Sequence, residues 1–210
     1  MTNIEQLITE VLADRQLLNH PFYQRWEKGE LSRSELTSYA EQYRYFETML
    51  PEFLEALLAT DLPHTVSTLV ADNLRDETAS PSHLELFEAF AAHYEAGDVE
   101  ISPAMSRLVA AYTDVLAAGT TTALAGLLAY EHQGAGIADS KSAGLTARYG
   151  ATADAVRFWD EHGSIEGDHA RWTMEALESL SPRREDVVAG LTTVGQAWWE
   201  FLDERELLAA

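Results

Sequence analysis

The sequence predicts an all-α protein, a compact bundle of seven to nine helices forming one domain over residues 1–210. Three observations carry that reading. Apolar residues recur at helical spacing nearly from end to end, and no segment shows the strict alternation of a half-buried strand. Helix start and stop signals are spaced along the chain with short connections between them. A chain of 210 residues with 46% hydrophobic content can also bury one substantial core.

The elements follow in order. Ile4 to Leu18 reads as a first helix, which Asn19-His20-Pro21 breaks or turns, with His20 in a capping role. Ser32-Arg33-Ser34-Glu35 has the form of a capping box, Ser32 at the cap and Glu35 at the third helical position. It opens a long helix that Pro51 kinks or ends. Leu62 to about Glu77 forms the next. Ser80-Pro81 then starts a helix running to Glu95, with serine as cap and proline at the first helical position. Ser102-Pro103 repeats that signal for a helix to about Ala118. Thr120 to about Tyr149 is helical despite Gly134 and Gly136 in its middle. Ala151 to Leu180 follows, and Ser181-Pro182 introduces a last helix ending near Leu208, where Trp198-Trp199 pack it onto the rest.

Composition excludes several function classes. Fourteen basic residues against 35 acidic ones give a net charge of −21, which argues against nucleic-acid or anionic-membrane binding. The apolar stretches are far shorter than the roughly 18 residues of a membrane span, and the N-terminus lacks the pattern of a signal peptide. The chain has no cysteine, which removes disulfides, thiolate metal sites and a cysteine nucleophile together. A cytoplasmic protein is the expectation. Lys28 and Lys141 are its only lysines, and so acidic, lysine-poor a surface would suit a high-salt interior.

The most informative stretch is Phe158 to His169, which sets His162, Glu166 and His169 at i, i+4 and i+7. On a helix these share one stripe. Two imidazoles and a carboxylate so placed offer mixed nitrogen and oxygen donors that suit iron or manganese. Glu131 ends the apolar run Leu124 to Tyr130, so it is partly buried or at a helix end, and a buried carboxylate needs a cation. Glu77 closes one helix, and His83 lies in the first turn of the next. Together these make three histidines and three glutamates, enough for two metals with bridging carboxylates. His64, His93 and His132 have no partner pattern, and Glu161 and Asp168 fall off the stripe.

The order Asn73-Leu74-Arg75-Asp76-Glu77, His83-x-x-Leu86-Phe87, Tyr130-Glu131, Lys141-x-x-Gly144-Leu145 and His162-x3-Glu166-x2-His169 resembles the heme-oxygenase-like diiron oxidases. That group shares its helical fold with heme oxygenase, the TenA thiaminases and the quinone-cofactor synthase PqqC. The likeness covers roughly residues 15 to 175 and is nearest to the branch of the chlamydial protein associating with death domains. The resemblance implies that Glu77, His83, Glu131, His162, Glu166 and His169 hold two iron ions, or one iron and one manganese. It further implies O2 and an external reductant as co-substrates, and a homodimer with an electron donor the sequence does not name. Two departures stand out: Glu166 replaces the aspartate common in the last motif, and Glu77 and His83 are six apart where seven is usual. Asp76 restores that spacing, so either Asp76 or Glu77 is the first ligand.

Members of that branch make p-aminobenzoate for folate synthesis from a tyrosine of their own chain, with a lysine implicated as amino donor. The matching positions are Tyr23, Tyr39, Tyr130 and Lys141. By that likeness Tyr23 is the sacrificed ring, Lys141 the amine source, and Tyr39 and Tyr130 relay or position groups. Arginine could not serve where a neutral amine must react, because it stays protonated. Three other readings stand beside this one: the same site acting on a diffusible amino acid or fatty acid, a metal-free helical binding protein, and heme binding through His20.

Overall fold

The computed structural model describes residues 3–208, and among these are nine α-helices and no strand. The first apolar stretch is shorter than its periodicity suggests. Helix α1 (Ile4–Val11) gives way to two 3-10 turns, Ala13–Arg15 and Leu17–Asn19. A 3-10 turn also brings i and i+3 to one side, so Leu12 and Leu17 still face the core and helical spacing alone does not reveal the change. Helix α2 (Pro21–Lys28) starts on His20, whose Nδ1 accepts the Phe22 N–H, and ends on Gly29 in the left-handed region.

Helix α3 (Arg33–Leu58) opens on the expected capping box, Ser32 with Glu35. Pro51 does not end it. The missing N–H leaves only the carbonyl of Glu47 without its helical donor, and beyond the proline Phe53, Leu54 and Leu57 remain buried and hold the helix to the core. Helix α4 spans His64–Thr78 and α5 His83–His93. The cap of α5 is Ser82, not Ser80. Ser82 and Glu85 form a reciprocal capping box that satisfies two backbone donors, and Ser80-Pro81 stays in the connecting turn.

Helix α6 (Pro103–Ala118) begins on Ser102 as the sequence indicates. Helices α7 (Thr120–Arg148), α8 (Ala153–Ser179) and α9 (Arg184–Leu207) are the long members of the bundle. The last starts at Arg184, three residues after Ser181, with Arg183 at the cap. No helix among the described residues is long and apolar enough to cross a membrane.

Helix α7 is the axis of the fold, buried continuously from Thr122 to Glu131 and packed chiefly on α8 and α9. Its small residues let the neighbours approach closely. At the α9 contact a Cβ on Gly190 would lie 2.3 Å from the Thr122 carbonyl oxygen, so only glycine fits there. The core is rich in rings: Trp26, Trp159, Trp198, Tyr23, Tyr39, Tyr43, Phe46, Phe87 and Phe90 are all buried. Polar groups lie inside this apolar shell, where α3, α4, α5, α7 and α8 converge: Glu47, Asn73, Glu77, His83, Glu131, Lys141, His162, Glu166 and His169.

Candidate metal centre

Four helices supply the donors. Glu77 comes from the last turn of α4 and His83 is the first residue of α5, so the short turn between them folds both side chains to one point. Glu131 projects from the middle of α7, and α8 presents His162, Glu166 and His169 from one stripe. All six are at most 5% exposed. Glu77, His83 and His162 place donor atoms within 4.8 Å of one another. His169 Nδ1 lies 3.5 Å from Glu77 Oε1, and His162 Nε2 lies 3.6 Å from Glu166 Oε1. Between Asp76 and Glu77 the geometry discriminates. The Glu77 side chain is 2% exposed and faces the histidines, whereas that of Asp76 is 32% exposed, lying 3.7 Å from His169 Nε2 and 3.9 Å from Arg75 Nε. Adjacent residues on a helix point about 100° apart, so only one of the pair can face inward.

The cluster fits a metal by its unmet valences. His83 Nδ1 and Glu77 Oε2 are 2.6 Å apart yet not aligned as a hydrogen bond, and His83 Nδ1, His169 Nε2, Glu131 Oε2 and Glu166 Oε2 have no hydrogen-bond partner. Such buried atoms are costly unless something binds them. The outward-facing atoms, by contrast, are held. Asn73 Nδ2 donates to Glu131 Oε1 at 2.7 Å, and Thr173 lies near enough to favour the ionised carboxylate. His162 Nδ1 lies 3.2 Å from the Phe158 carbonyl, which fixes the proton on Nδ1 and leaves the Nε2 lone pair directed inward.

Electrostatics agree. Burial pushes the Glu131 carboxyl up to about 7, with Glu77 adding to the shift and Thr173 and Asn73 opposing it. Burial raises Glu166 well above the usual carboxylate range, and Glu131, Glu77 and Glu47 push the same way. Burial, helped by His83 and His169, holds His162 well below the usual imidazole value. Neutral imidazoles and carboxylates that ionise only against a cation are the protonation states a metal site requires. Imidazole and carboxylate donors together suit iron or manganese.

A second group lies beside the first. Lys141, 1% exposed on α7, donates from Nζ to the Tyr39 hydroxyl at 2.6 Å, and the Tyr39 and Tyr23 hydroxyls share a hydrogen bond of 3.1 Å. The amine sits 3.9 Å from the centroid of the Trp159 ring and 4.7 to 5.9 Å from those of Tyr43, Tyr23, Tyr39 and Trp26. It makes no ion pair within 4 Å among the described residues. Burial therefore holds it well below the usual lysine value, though Glu47 and Glu166 act in the opposite sense. Tyr130 stands apart from this trio: its hydroxyl pairs with that of Tyr43 at 2.7 Å and its ring stacks on Trp198. Phe158 and Trp159 join the two groups, Phe158 packing on His162 and Trp159 on Lys141.

His20 has both ring nitrogens engaged, with Phe22 N–H and with Asp203, so neither faces a ligand site. Sequence reasoning missed Tyr43, Trp159, Asn73, Thr173 and Glu47. A signal existed for most of them. Asn73 is four residues before Glu77, Thr173 continues the stripe four after His169, and Tyr39, Tyr43 and Glu47 repeat at intervals of four along α3.

Comparison with known proteins agrees with this geometry. A profile of the iron-containing redox enzymes, a heme-oxygenase-like family, matches residues 37–199. The chain belongs to that family. This iron-containing redox enzyme is 30% identical over 215 residues to a 4-aminobenzoate synthase of Chlamydia pneumoniae, covering 96% of this chain and 94% of the relative. It is 31% identical over 220 residues to a 4-aminobenzoate synthase of Nitrosomonas europaea, covering 95% and 89%. Among solved structures, the family member resembles a domain of unknown function with a heme oxygenase-like fold from Shewanella denitrificans, with a TM-score of 0.80, 19% identity and coverage of 100% and 94%. It also resembles a TenA homologue from Pseudomonas syringae, with a TM-score of 0.77, 13% identity and coverage of 97% and 93%. The all-helical, heme-oxygenase-like fold expected from the sequence is thus the fold observed.

Proposed function

We propose that this enzyme is a 4-aminobenzoate synthase that uses a dinuclear iron, or iron–manganese, centre and makes its product from its own Tyr23, with Lys141 as the source of nitrogen. The observation that carries the reading is the buried contact of Tyr23, Tyr39 and Lys141 beside the imidazole–carboxylate cluster. A lysine in an aromatic cage with no carboxylate in contact is disposed to be a neutral amine, the form that can act as a nucleophile. The relatives named 4-aminobenzoate synthase support the product class.

Glu77, His83, Glu131, His162, Glu166 and His169 would hold the metals. Once loaded, the centre would supply O2 activation and the oxidising capacity that a phenol ring requires. The chain's own residues do the rest. Helix α2 holds the Tyr23 ring in the core before reaction, so it needs no binding step. The Tyr39 hydroxyl accepts from Lys141 Nζ and shares a hydrogen bond with Tyr23, so it can pass a proton between the amine and the phenol. Tyr130, next to Glu131 in the chain and bonded to Tyr43, links the ligand helix to this aromatic cluster. Trp26, Trp159 and Phe22 exclude water from the reacting groups.

Carbon accounting constrains the outcome. The carbon skeleton of p-aminobenzoate equals a tyrosine ring plus its Cβ, so the Tyr23 Cα–Cβ bond must break. The test is the intact mass of the protein after anaerobic loading with ferrous iron, then reductant and O2. We expect a lighter chain altered at residue 23, which gives up its ring and Cβ, and at residue 141, which gives up its amine nitrogen, with no more than one product per chain. An unchanged mass alongside repeated turnover on an added substrate would overturn the self-sacrifice reading.

A further inference from the structure

We propose that Glu47 of α3 is an additional carboxylate ligand of the metal centre. The inference rests on the metal-site reading above and extends it to a helix that the six-residue cluster does not use.

Glu47 is 2% exposed, and neither of its carboxylate oxygens has a hydrogen-bond partner. The groups that could have satisfied it are committed elsewhere. Tyr43, one turn earlier, shares its hydroxyl with Tyr130, and although it lies near enough to favour the Glu47 anion, it is not aligned as a donor to it. Lys141 directs its amine to Tyr39 and forms no ion pair with Glu47 within 4 Å. The charge that Glu47 feels most strongly is that of another buried carboxylate, Glu77, which itself touches His83 and approaches His169. Glu47 is thus a carboxylate without a partner, desolvated in an apolar core and repelled by the nearby Glu77. Both carboxylates can be ionised together there only with a cation to neutralise them.

The surroundings give no structural reason for an acid here. Phe46, Leu50, Phe53 and Leu54 of the same helix are buried apolar residues, and a leucine at position 47 would continue that face. A polar side chain kept in such a place without a protein partner points to a partner that is not protein. Charge points the same way. Glu47, Glu77, Glu131 and Glu166 together carry four negative charges, which match two divalent cations, whereas the other three alone leave an uncompensated positive charge in the core.

The test uses the full chain, stripped of metal and then titrated anaerobically with ferrous iron or manganese. Bound ions are counted by elemental analysis after desalting, and melting temperatures are recorded with and without metal. The variants are Glu47→Gln and Glu47→Leu. We expect both to fold without metal at least as stably as wild type, because each removes an unpaired buried charge. We expect one ion to bind at least about tenfold more weakly, with a smaller rise in melting temperature on loading. Wild-type ion count and affinity in both variants would overturn the proposal while leaving the six-residue site intact. So would metal-free variants that fail to fold, since the carboxylate would then serve the scaffold. Failure of the wild-type chain itself to bind either ion would remove the metal-site reading and this proposal together.

Discussion

A Cβ on Gly134 would lie 2.6 Å from Glu166 Oε2 and 2.8 Å from its carboxyl carbon. The bare glycine of α7 is therefore the space in which the Glu166 carboxylate of α8 sits. Gly134→Ala should displace that carboxylate and weaken metal binding by roughly 10- to 100-fold. Replacing Glu166 by Asp in the same chain withdraws the carboxylate by one methylene and should restore much of the loss. Metal titration of the single and double variants checks this, and a double variant no better than Gly134→Ala alone would mean the two residues are not coupled.

The metal-free protein should lose stability as pH rises above about 6.5. The folded-state Glu131 carboxyl is raised from 4.5 to about 7, so its contribution is complete below pH 4.5 and disappears as pH climbs through 7. The whole shift corresponds to roughly 3 kcal/mol. Glu47 and Glu166 are raised in the same direction and add to the loss. His162 and His169 are lowered and act oppositely, but only below the ordinary imidazole value of 6.5. Bound metal would keep the carboxylates ionised and remove the loss, so the rise in melting temperature on loading should grow from about pH 6.5 to 8. Thermal melts across that range provide the measurement, and a metal-free melting temperature that is flat or rising would contradict it.

Lys141 should matter for reaction and not for folding. Its amine is buried among rings with one hydrogen bond, so Lys141→Met replaces a costly polar end by an apolar one of similar length. The variant should melt at or above wild type, keep its metal and give no product. Tyr39→Phe should retain metal but leave the Lys141 amine without its acceptor, at a cost of about 1–3 kcal/mol, with lower product yield. A Lys141→Met chain that still forms p-aminobenzoate would exclude the lysine as nitrogen source.

Gly190→Ala tests the packing of the two central helices. The added methyl would meet the Thr122 carbonyl oxygen at 2.3 Å and the Gly126 backbone nitrogen at 2.8 Å, both rigid parts of α7. We expect a loss of about 2–3 kcal/mol or more, read as a melting temperature lower by at least about 5 °C. A loss within experimental error would show that α7 and α9 can separate freely.

The parts of the centre that lie within one helix were legible in the sequence, and those that depend on a turn were not. His162, Glu166 and His169 follow from helical period alone, and Glu131 from the apolar run it ends. Whether Asp76 or Glu77 faces His83 depends on how the α4–α5 turn is wound, which no periodicity encodes; the burial of Glu77 distinguishes them. Ser82 escaped notice because Ser80-Pro81 carries the more familiar start signal two residues earlier. Glu47 was hidden for another reason. An acid on a long amphipathic helix reads as a solvated residue until packing shows that α3 has no solvated face at that position.

The central claim is that these buried imidazoles and carboxylates bind metal, and elemental analysis of the purified protein tests it most directly. Wild type should retain about two iron or manganese ions per chain, and a His162→Ala, His169→Ala double variant should retain almost none while keeping its helical content. A wild-type chain that remains free of metal after anaerobic loading with ferrous iron would contradict the account.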